Sequence, residues 1–109
     1  MIKLYRGDVI RVYYTDGKGG LKERHVIVYK DIKPEDTIIS VYCTSQNDGN
    51  DHQNILVLMT SEEGIKMGLT ADTYIRPLEI KFLPYKAFIR KVGNCGLMGQ
   101  IQKIIDQVS

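Results

Sequence analysis

Short runs of β-branched and aromatic residues, separated by turn signals, limit the fold of this chain more than any other feature. They predict strands over residues 8–15, 25–30, 37–43, 54–59, 73–83 and 86–93. Glycine-rich or polar segments follow the first three runs. The fourth run is apolar enough to predict a strand that is covered on both faces. Pro77 interrupts the fifth run and predicts an edge or a bulge there.

Two segments have helical signals instead. Residues 60–68 predict a short helix capped by Thr60 or Ser61. Glu62 and Glu63 lie in its first turn, where the helix dipole favours negative charge. Near the C-terminus the apolar residues change to helical spacing, which predicts an amphipathic helix. They are Leu97, Met98, Ile101, Ile104, Ile105 and Val108. Many short strands with a terminal helix packed outside them predict a mainly β, α+β domain with a small barrel-like fold.

The length of 109 residues predicts one domain, spanning residues 1–109, that can bury a core without a metal or a disulfide. The apolar run at residues 55–59 is far too short to cross a bilayer, and the N-terminus lacks the apolar segment of a secretory signal. Cys43 and Cys95 form no CxxC pair, and with His52 they lack the spacing of metal ligands. These features predict a cytoplasmic protein with reduced thiols, no metal and no membrane partner. The net charge of +2 is compatible with a nucleic acid or an acidic protein as partner.

Five segments carry a resemblance to a known family. They are RGDVIRVYY (residues 6–14), KERHVIVY (22–29), VYCTSQ (41–46), EGIKMGLTADTYIRP (63–77) and FIRKVG (88–93). In this order and at this spacing they resemble the MazF/PemK/Kid toxins of bacterial type II toxin–antitoxin systems, over residues 4–108. The resemblance implies a small, partly open SH3-like β barrel with short helices and a C-terminal helix, assembled as a homodimer.

The resemblance also implies an activity and a partner. Toxins of this family are endoribonucleases that cleave single-stranded RNA, including mRNA, without a metal or another cofactor. The 2′-hydroxyl attacks the neighbouring phosphate, which leaves a 2′,3′-cyclic phosphate and a 5′-hydroxyl. Cleavage inhibits translation and growth. A cognate antitoxin, with an acidic and partly disordered C-terminal tail, blocks the RNA site.

For this chain, the resemblance implies a catalytic role for Arg24 and Thr44. Arg24 matches the family's catalytic arginine immediately before the second strand, although His25 stands where the family has proline. A guanidinium suits the role, because its forked donors match the non-bridging oxygens of a phosphate. Thr44 matches the threonine of the family's Thr-Ser pair and would donate to the scissile phosphate. Ser45 and Gln46 would bind the same RNA.

Arg76 matches the arginine of an Arg-x-Asp motif in some relatives, and we assign it to RNA binding. Leu78 occupies the aspartate position of that motif. The adjacent Glu79 would face the other side of a regular strand. The motif therefore predicts no dedicated carboxylate base.

The general base stays open between the only two histidines, His25 and His52, either of which has a suitable intrinsic pKa. Strict alternation turns His25 to the opposite strand face from Arg24, and we assign it to RNA binding. The first loop, residues 15–20, is shorter than is usual in the family. This predicts a change in the RNAs that fit, or a weaker activity.

Other interpretations of the same residues stay open. Most arginines are solvated, and a hydroxyl at a strand end commonly caps loose backbone. Residues 81–91 combine four cations with three aromatic residues, which indicates either a surface for single-stranded nucleic acid or a solvated basic face. The alternative functions are a CcdB-like toxin that binds DNA gyrase without chemistry, and a catalytically degenerate relative that binds only RNA or an antitoxin.

Overall fold

The computed structural model of the protein describes residues 2–15, 18–46 and 53–108. The strands in these ranges are β1 (Asp8–Thr15), β2 (Leu21–Val28), β3 (Ile38–Thr44), β4 (Ile55–Val57), β5 (Thr73–Leu83) and β6 (Phe88–Asn94). The α-helices are α1 (Glu62–Met67) and α2 (Met98–Val108), and a short 3-10 helix spans Tyr85–Ala87. The strands form one antiparallel sheet in the order β4-β5-β3-β2-β1-β6, which curls into a half-barrel. The predicted mainly β character is confirmed. None of the helices in these ranges is long and apolar enough to cross a membrane.

β1 and β5 have the bounds that the sequence predicts, but β2 begins at Leu21, four residues before its predicted start. The reason is the β1–β2 hairpin, whose unbroken ladder reaches Thr15 opposite Leu21. Backbone pairing extends the strand through residues whose side chains are exposed and whose apolar pattern is therefore weak. Arg24 consequently lies inside β2, and the expectation that it precedes the strand is wrong.

β4 is an edge strand of three residues, so the predicted strand over residues 54–59 is too long. It pairs only with β5 in the described part of the chain, and Leu56 and Leu58 are 49% and 47% exposed. The expected cover on both faces is therefore wrong. An apolar run at a sheet edge has the same composition as one in a central strand, and only the pairing distinguishes them.

β6 starts at Phe88 instead of residue 86, because the 3-10 helix occupies the residues before it.

The sheet buries side chains on both faces, because consecutive strand residues point to opposite sides. The first core cluster is shared by the sheet, α1 and α2, and contains Val9, Ile27, Val41, Cys43, Val57, Met67, Ile75, Cys95 and Ile101. The second core cluster contains Leu4, Ile10, Val12, Val26, Val28, Ile32, Ile38 and Ala87. Ile101 of α2 is fully buried, which confirms the apolar face of the predicted C-terminal helix. Val108 is 57% exposed, because it is the last residue of α2 and extends beyond the core.

Of the two caps that the sequence allows, Thr60 and Ser61, α1 has Ser61. The Ser61 hydroxyl accepts a hydrogen bond from the Gly64 N–H at 3.0 Å, and both predicted glutamates lie in the first turn. The helix ends at Gly68, whose φ of 70° lies in the left-handed region that glycine favours. The end of α1 therefore places the Gly68 carbonyl beside the sheet, where it contacts His25 of β2.

β5 is not a regular strand at its middle. Two consecutive residues of β3 oppose Ile80 and Arg76 of β5, so residues 77–79 interrupt the ladder. This segment contains Pro77, which confirms the bulge predicted there. Because of the interruption, Glu79 turns towards Arg76, and its Oε1 is 3.2 Å from Nη2 of the arginine. The expectation that Glu79 faces away is wrong, since it assumed a regular strand.

Candidate functional site

Within the described residues, β2 and β3 pair over only three positions, and the pairing stops where Val26 opposes Tyr42. Beyond that point both strands continue through described residues, β2 back to Leu21 and β3 forward to Thr44, without pairing to each other. The gap between them holds a cavity of about 190 Å³, which we call the fork cavity. If the register of the last pair were continued, Arg24 would lie opposite Thr44, and both residues line the fork cavity.

Most of the residues assigned to a site from the sequence line the fork cavity. They are Arg24, His25, Thr44 and Ser45. The fold therefore places residues of β2 and β3, which were assigned to one site from the sequence, around one cavity. The other histidine that was considered as a base, His52, lies outside the described residues. So do residues 47–51 of the same loop and residues 16–17 of the first loop.

Gln46 and Arg76 are not part of the cavity lining. Arg76 lies on β5 opposite Tyr42 and forms its ion pair with Glu79. Gln46 is exposed, and its backbone N–H donates to Oγ1 of Thr44 at 3.2 Å. Both residues therefore lie outside the cavity, and Gln46 adjoins it through Thr44.

Arg24 is held between two aromatic rings. Its guanidinium carbon is 4.9 Å from the centre of the Tyr14 ring and 5.3 Å from the centre of the Tyr42 ring. Such contacts attract the cation and leave donors at the edge of the guanidinium able to bind an anion. Arg24 forms no ion pair with a described carboxylate, and its buried Nε–H has no hydrogen-bond partner among the described residues. The cavity therefore has a positive charge on one side that pairs with no carboxylate of the described residues.

The Tyr42 ring stays neutral in this arrangement. Burial raises the pKa of its phenol above the usual value, and the charge of Arg24 offsets only part of that rise. Nζ of Lys81 also lies 5.6 Å from the centre of the ring. The face of the neutral Tyr42 ring attracts a cation, which favours a fixed position for Arg24.

Thr44 is the last residue of β3, and its Oγ1 accepts the hydrogen bond from the Gln46 N–H. This is the turn chemistry that the simplest interpretation of a strand-end threonine predicts. A threonine hydroxyl has one proton and two lone pairs, so the proton can still be donated, either to the nearby Tyr42 oxygen or to a ligand in the cavity. The turn fixes the hydroxyl at the cavity, and its structural role is compatible with a functional one.

His25 is fixed by two neighbours. Its Nε2 is 3.2 Å from the Gly68 carbonyl oxygen, and its Nδ1 is 3.4 Å from Nη1 of Arg11. A carbonyl only accepts and a guanidinium only donates, so these partners assign the proton to Nε2 and the lone pair to Nδ1. Burial and, to a smaller extent, the charge of Arg11 lower the pKa of His25 below its usual value. The ring is therefore neutral at neutral pH, and its lone pair already accepts from Arg11.

Arg24 and His25 point to opposite faces of β2, as alternation requires. Arg24 opposes Val12, a residue of the second core cluster, whereas His25 opposes Arg11 on the other face. Both nevertheless line the fork cavity, because a gap between two strands is open to both faces of the sheet. The face of a strand residue therefore does not decide whether it reaches this site.

Sequence reasoning missed Arg11, Glu23 and the threonines Thr70 and Thr73, all of which line the cavity. Arg11 shares a strand face with the buried Val9, and the other residues at positions 9–14 are apolar or aromatic. A charged residue at a core-facing position is the signal that could have found it. Thr70 lies in the loop after α1 and Thr73 begins β5, and nothing in their own pattern distinguishes them from ordinary loop or strand-end residues.

Cys43 also lines the fork cavity, but it belongs to the first core cluster and is only 3% exposed. Burial raises the pKa of its thiol far above the usual value, which keeps it protonated. Cys95 is a free thiol in the same cluster, and burial raises its pKa as well. Cys43 therefore packs as a small hydrophobic residue and lacks the thiolate that a nucleophile needs.

Neither thiol is expected to react quickly with an aromatic disulfide reagent in the folded protein at mildly alkaline pH, because the raised pKa values keep both thiols protonated and the core covers them. Both should react at once in concentrated guanidinium chloride. The measurement is the absorbance of the released aromatic thiolate before and after unfolding. Rapid labelling of either thiol before unfolding would contradict this protection.

No protein-family model matches the chain, and no curated protein is significantly similar to it in sequence. Among the described residues, no three His, Cys, Asp or Glu side chains are grouped as a metal site needs. The interpretation of the fork cavity therefore depends on its own residues and on the resemblance of the five sequence segments.

Proposed function

We propose that this protein is an endoribonuclease toxin of the MazF/PemK/Kid type, and that the fork cavity binds the scissile phosphate of single-stranded RNA. One observation carries the proposal. Arg24 and Thr44, the two residues to which the resemblance assigns the chemistry, line one cavity from the neighbouring strands β2 and β3. The half-barrel is compatible with the partly open SH3-like barrel of that family.

The reaction proposed for the cavity is a transesterification. The 2′-oxygen of one nucleotide forms a bond to the adjacent phosphorus as the bond from phosphorus to the 5′-oxygen breaks. A proton leaves the 2′-hydroxyl and a proton reaches the departing 5′-oxygen, so no water enters the step. The products are a 2′,3′-cyclic phosphate and a 5′-hydroxyl, and DNA is not a substrate because it has no 2′-hydroxyl.

Arg24 supplies the charge that this step requires. Negative charge increases on the non-bridging oxygens as the 2′-oxygen attacks, and a guanidinium offers them a fork of donors. The Tyr14 and Tyr42 rings hold that guanidinium in place before the substrate arrives. A donor that needs no rearrangement during the reaction stabilises the transition state more than a mobile one.

Thr44 and Ser45 provide hydroxyl donors from the facing strand. Gln46 and Arg76, outside the cavity, contact the RNA beyond the scissile phosphate in this proposal. The partners are then single-stranded RNA, a second copy of the chain, and an antitoxin with an acidic tail that competes for the basic site. The proposed place of action is the cytoplasm, where mRNA is translated.

The proposal is tested by incubating the purified protein in EDTA with long unstructured RNAs of diverse sequence and with DNA of the same sequences. We expect discrete cuts in RNA only, with cyclic phosphate and 5′-hydroxyl ends. A 2′-O-methyl group at the cut position should prevent cleavage there. Absence of cleavage with inhibition of DNA gyrase supercoiling would favour the CcdB-like alternative. Absence of cleavage with retained RNA binding would favour a degenerate relative.

The Thr44→Ala variant is expected to cleave RNA about 10- to 100-fold more slowly, the loss that follows from one hydrogen bond to a charged group. Thr44→Ser keeps the hydroxyl and should retain most of the rate. Thr37→Ala is the matched control, because Thr37 is exposed and does not line the cavity. Initial rates with a short fluorescent RNA give the comparison. Equal rates for Thr44→Ala and Thr37→Ala would remove Thr44 from the mechanism.

A further inference from the structure

Arg11 is a residue of the fork cavity that the proposed reaction leaves without a role. It lies in the middle of β1 and opposes His25 in the β1–β2 ladder. Its side chain is 17% exposed, and it lines the cavity together with Arg24. A guanidinium so far withdrawn from water needs acceptors for its donors.

The acceptors that the described residues offer to Arg11 are distant. Its Nη2 is 3.3 Å from Oε2 of Glu23, and its Nη1 is 3.4 Å from Nδ1 of His25. Both contacts are long beside the usual range of about 2.7–3.2 Å, and together they use only two of the five N–H donors of the guanidinium. The buried Nε–H of Arg11 has no hydrogen-bond partner among the described residues. Arg11 therefore has donor capacity that an anion can use.

Positive charge exceeds negative charge around Arg11. Arg90 of β6 holds the register position opposite it, so two like charges face each other across neighbouring strands. Arg24 lines the same cavity from the other face of the sheet. Among the described residues, Glu23 is the one carboxylate that lines the cavity. A bound anion would reduce the repulsion between these arginines.

We propose that Arg11 is a second phosphate-binding arginine of the fork cavity, and that His25 is a positioning residue that holds Arg11 there instead of the general base. The inference rests on the proposed function and assigns the RNA phosphate two guanidinium partners. Arg11 and Arg24 approach the cavity from opposite faces of the sheet, so they clamp the phosphate from two sides. The lone pair of His25 accepts from Arg11 and holds its guanidinium in place. His25 therefore cannot take a proton from a 2′-hydroxyl without releasing Arg11.

The holding contact depends on the protonation of His25. The groups that face the ring are Arg11 from β1, Arg90 from β6, the Gly68 carbonyl after α1, and Glu23 of the same strand. Protonation would place an N–H at Nδ1 against the Arg11 guanidinium and release it. Because the pKa of His25 is lowered, the ring is neutral and the contact intact at neutral pH, and the contact is lost as the pH falls through the lowered pKa.

The first test measures binding of a 2′-O-methyl RNA oligonucleotide, which cannot be cleaved, by fluorescence anisotropy over a range of salt concentrations. Arg11→Gln should lower the affinity about 10-fold. It should also reduce the slope of log affinity against log salt by about 0.7, the change for one phosphate contact on a single strand. Lys103→Gln removes the same charge from an exposed position of α2 and should leave the slope unchanged. An unchanged slope for Arg11→Gln would overturn the proposal.

The second test separates a positioning role of His25 from a catalytic one. His25→Asn offers an amide oxygen near the position of Nδ1, so it should retain most of the cleavage rate and lose the acid limb of the pH profile. His25→Ala lacks the acceptor and should cleave about 10-fold more slowly. If both variants lose about 100-fold or more, as expected for removal of a general base, the positioning role is wrong.

The outcomes also separate this inference from the function on which it rests. Wild-type protein that neither binds nor cleaves RNA would contradict both. Wild-type protein that cleaves RNA, with an Arg11→Gln variant of unchanged affinity and salt slope, would contradict the role of Arg11 alone. Thermal unfolding of each variant shows whether a loss reflects the site or the fold.

Discussion

The Arg24→Ala variant is expected to cleave single-stranded RNA about 100- to 1,000-fold more slowly than the wild type, the loss measured when one preorganised donor is removed from a developing anion. The substitution removes the guanidinium that lies between the Tyr14 and Tyr42 rings, and the nearby Lys81 offers a single ammonium in place of its fork of donors. The effect should appear mainly in kcat, because the phosphate gains charge between the ground state and the transition state. Single-turnover rates in EDTA at saturating protein measure it.

Two variants show whether the loss belongs to the chemistry. Arg24→Lys keeps a positive charge but lacks the fork of donors, so its rate should lie between those of the wild type and Arg24→Ala. Arg6→Ala is the matched control, because the Arg6 guanidinium also lies over a tyrosine, 5.0 Å from the centre of the Tyr29 ring, and is outside the fork cavity. It should cleave at the wild-type rate. An Arg24→Ala variant as active as Arg6→Ala would remove Arg24 from the mechanism.

The β-rich character, α1 with its serine cap and the buried face of α2 could be predicted from the sequence, because each depends on residues that are neighbours along the chain. Ser61 precedes the glutamates of the first turn, and Ile101 lies within a helical apolar pattern. The early start of β2 could not be predicted in this way. Residues 21–24 have a weak pattern of their own and are strand because the hairpin with β1 continues through them.

The candidate site was predictable only in part, because it also depends on how the strands pair. Arg24 and Thr44 were found by resemblance, and their common cavity exists because the β2–β3 pairing stops before it reaches them. The pattern of β1 could mark Arg11 as unusual but could not place it at the site, since that depends on the register that sets it opposite His25. The ion pair between Glu79 and Arg76 also depends on register. Strict alternation would direct the Glu79 carboxylate to the other face of β5, but the three extra residues of the bulge turn it towards Arg76.

The Gly93→Ala variant is expected to lose about 3 kcal/mol of unfolding free energy, the upper part of the usual range for overpacking. Gly93 lies on β6 where the end of α1 packs against it. A Cβ there would be 2.2 Å from the Lys66 carbonyl oxygen and 2.6 Å from the Met67 carbonyl carbon. These are main-chain atoms, which cannot turn away as a side chain does, so the helix end must move. Urea denaturation measures the loss as a lower midpoint.

The control is Gly99→Ala, which adds the same methyl group within α2, where a Cβ meets nothing within 4 Å among the described residues. It should be as stable as the wild type or more stable by up to about 1 kcal/mol, because alanine favours a helix more than glycine does. Equal midpoints for Gly93→Ala and the wild type would contradict the close approach of α1 to β6. That approach also matters for the site, because the residue after α1 is Gly68, whose carbonyl accepts from His25. A displaced helix end should therefore weaken the contact that holds His25 as well as the fold.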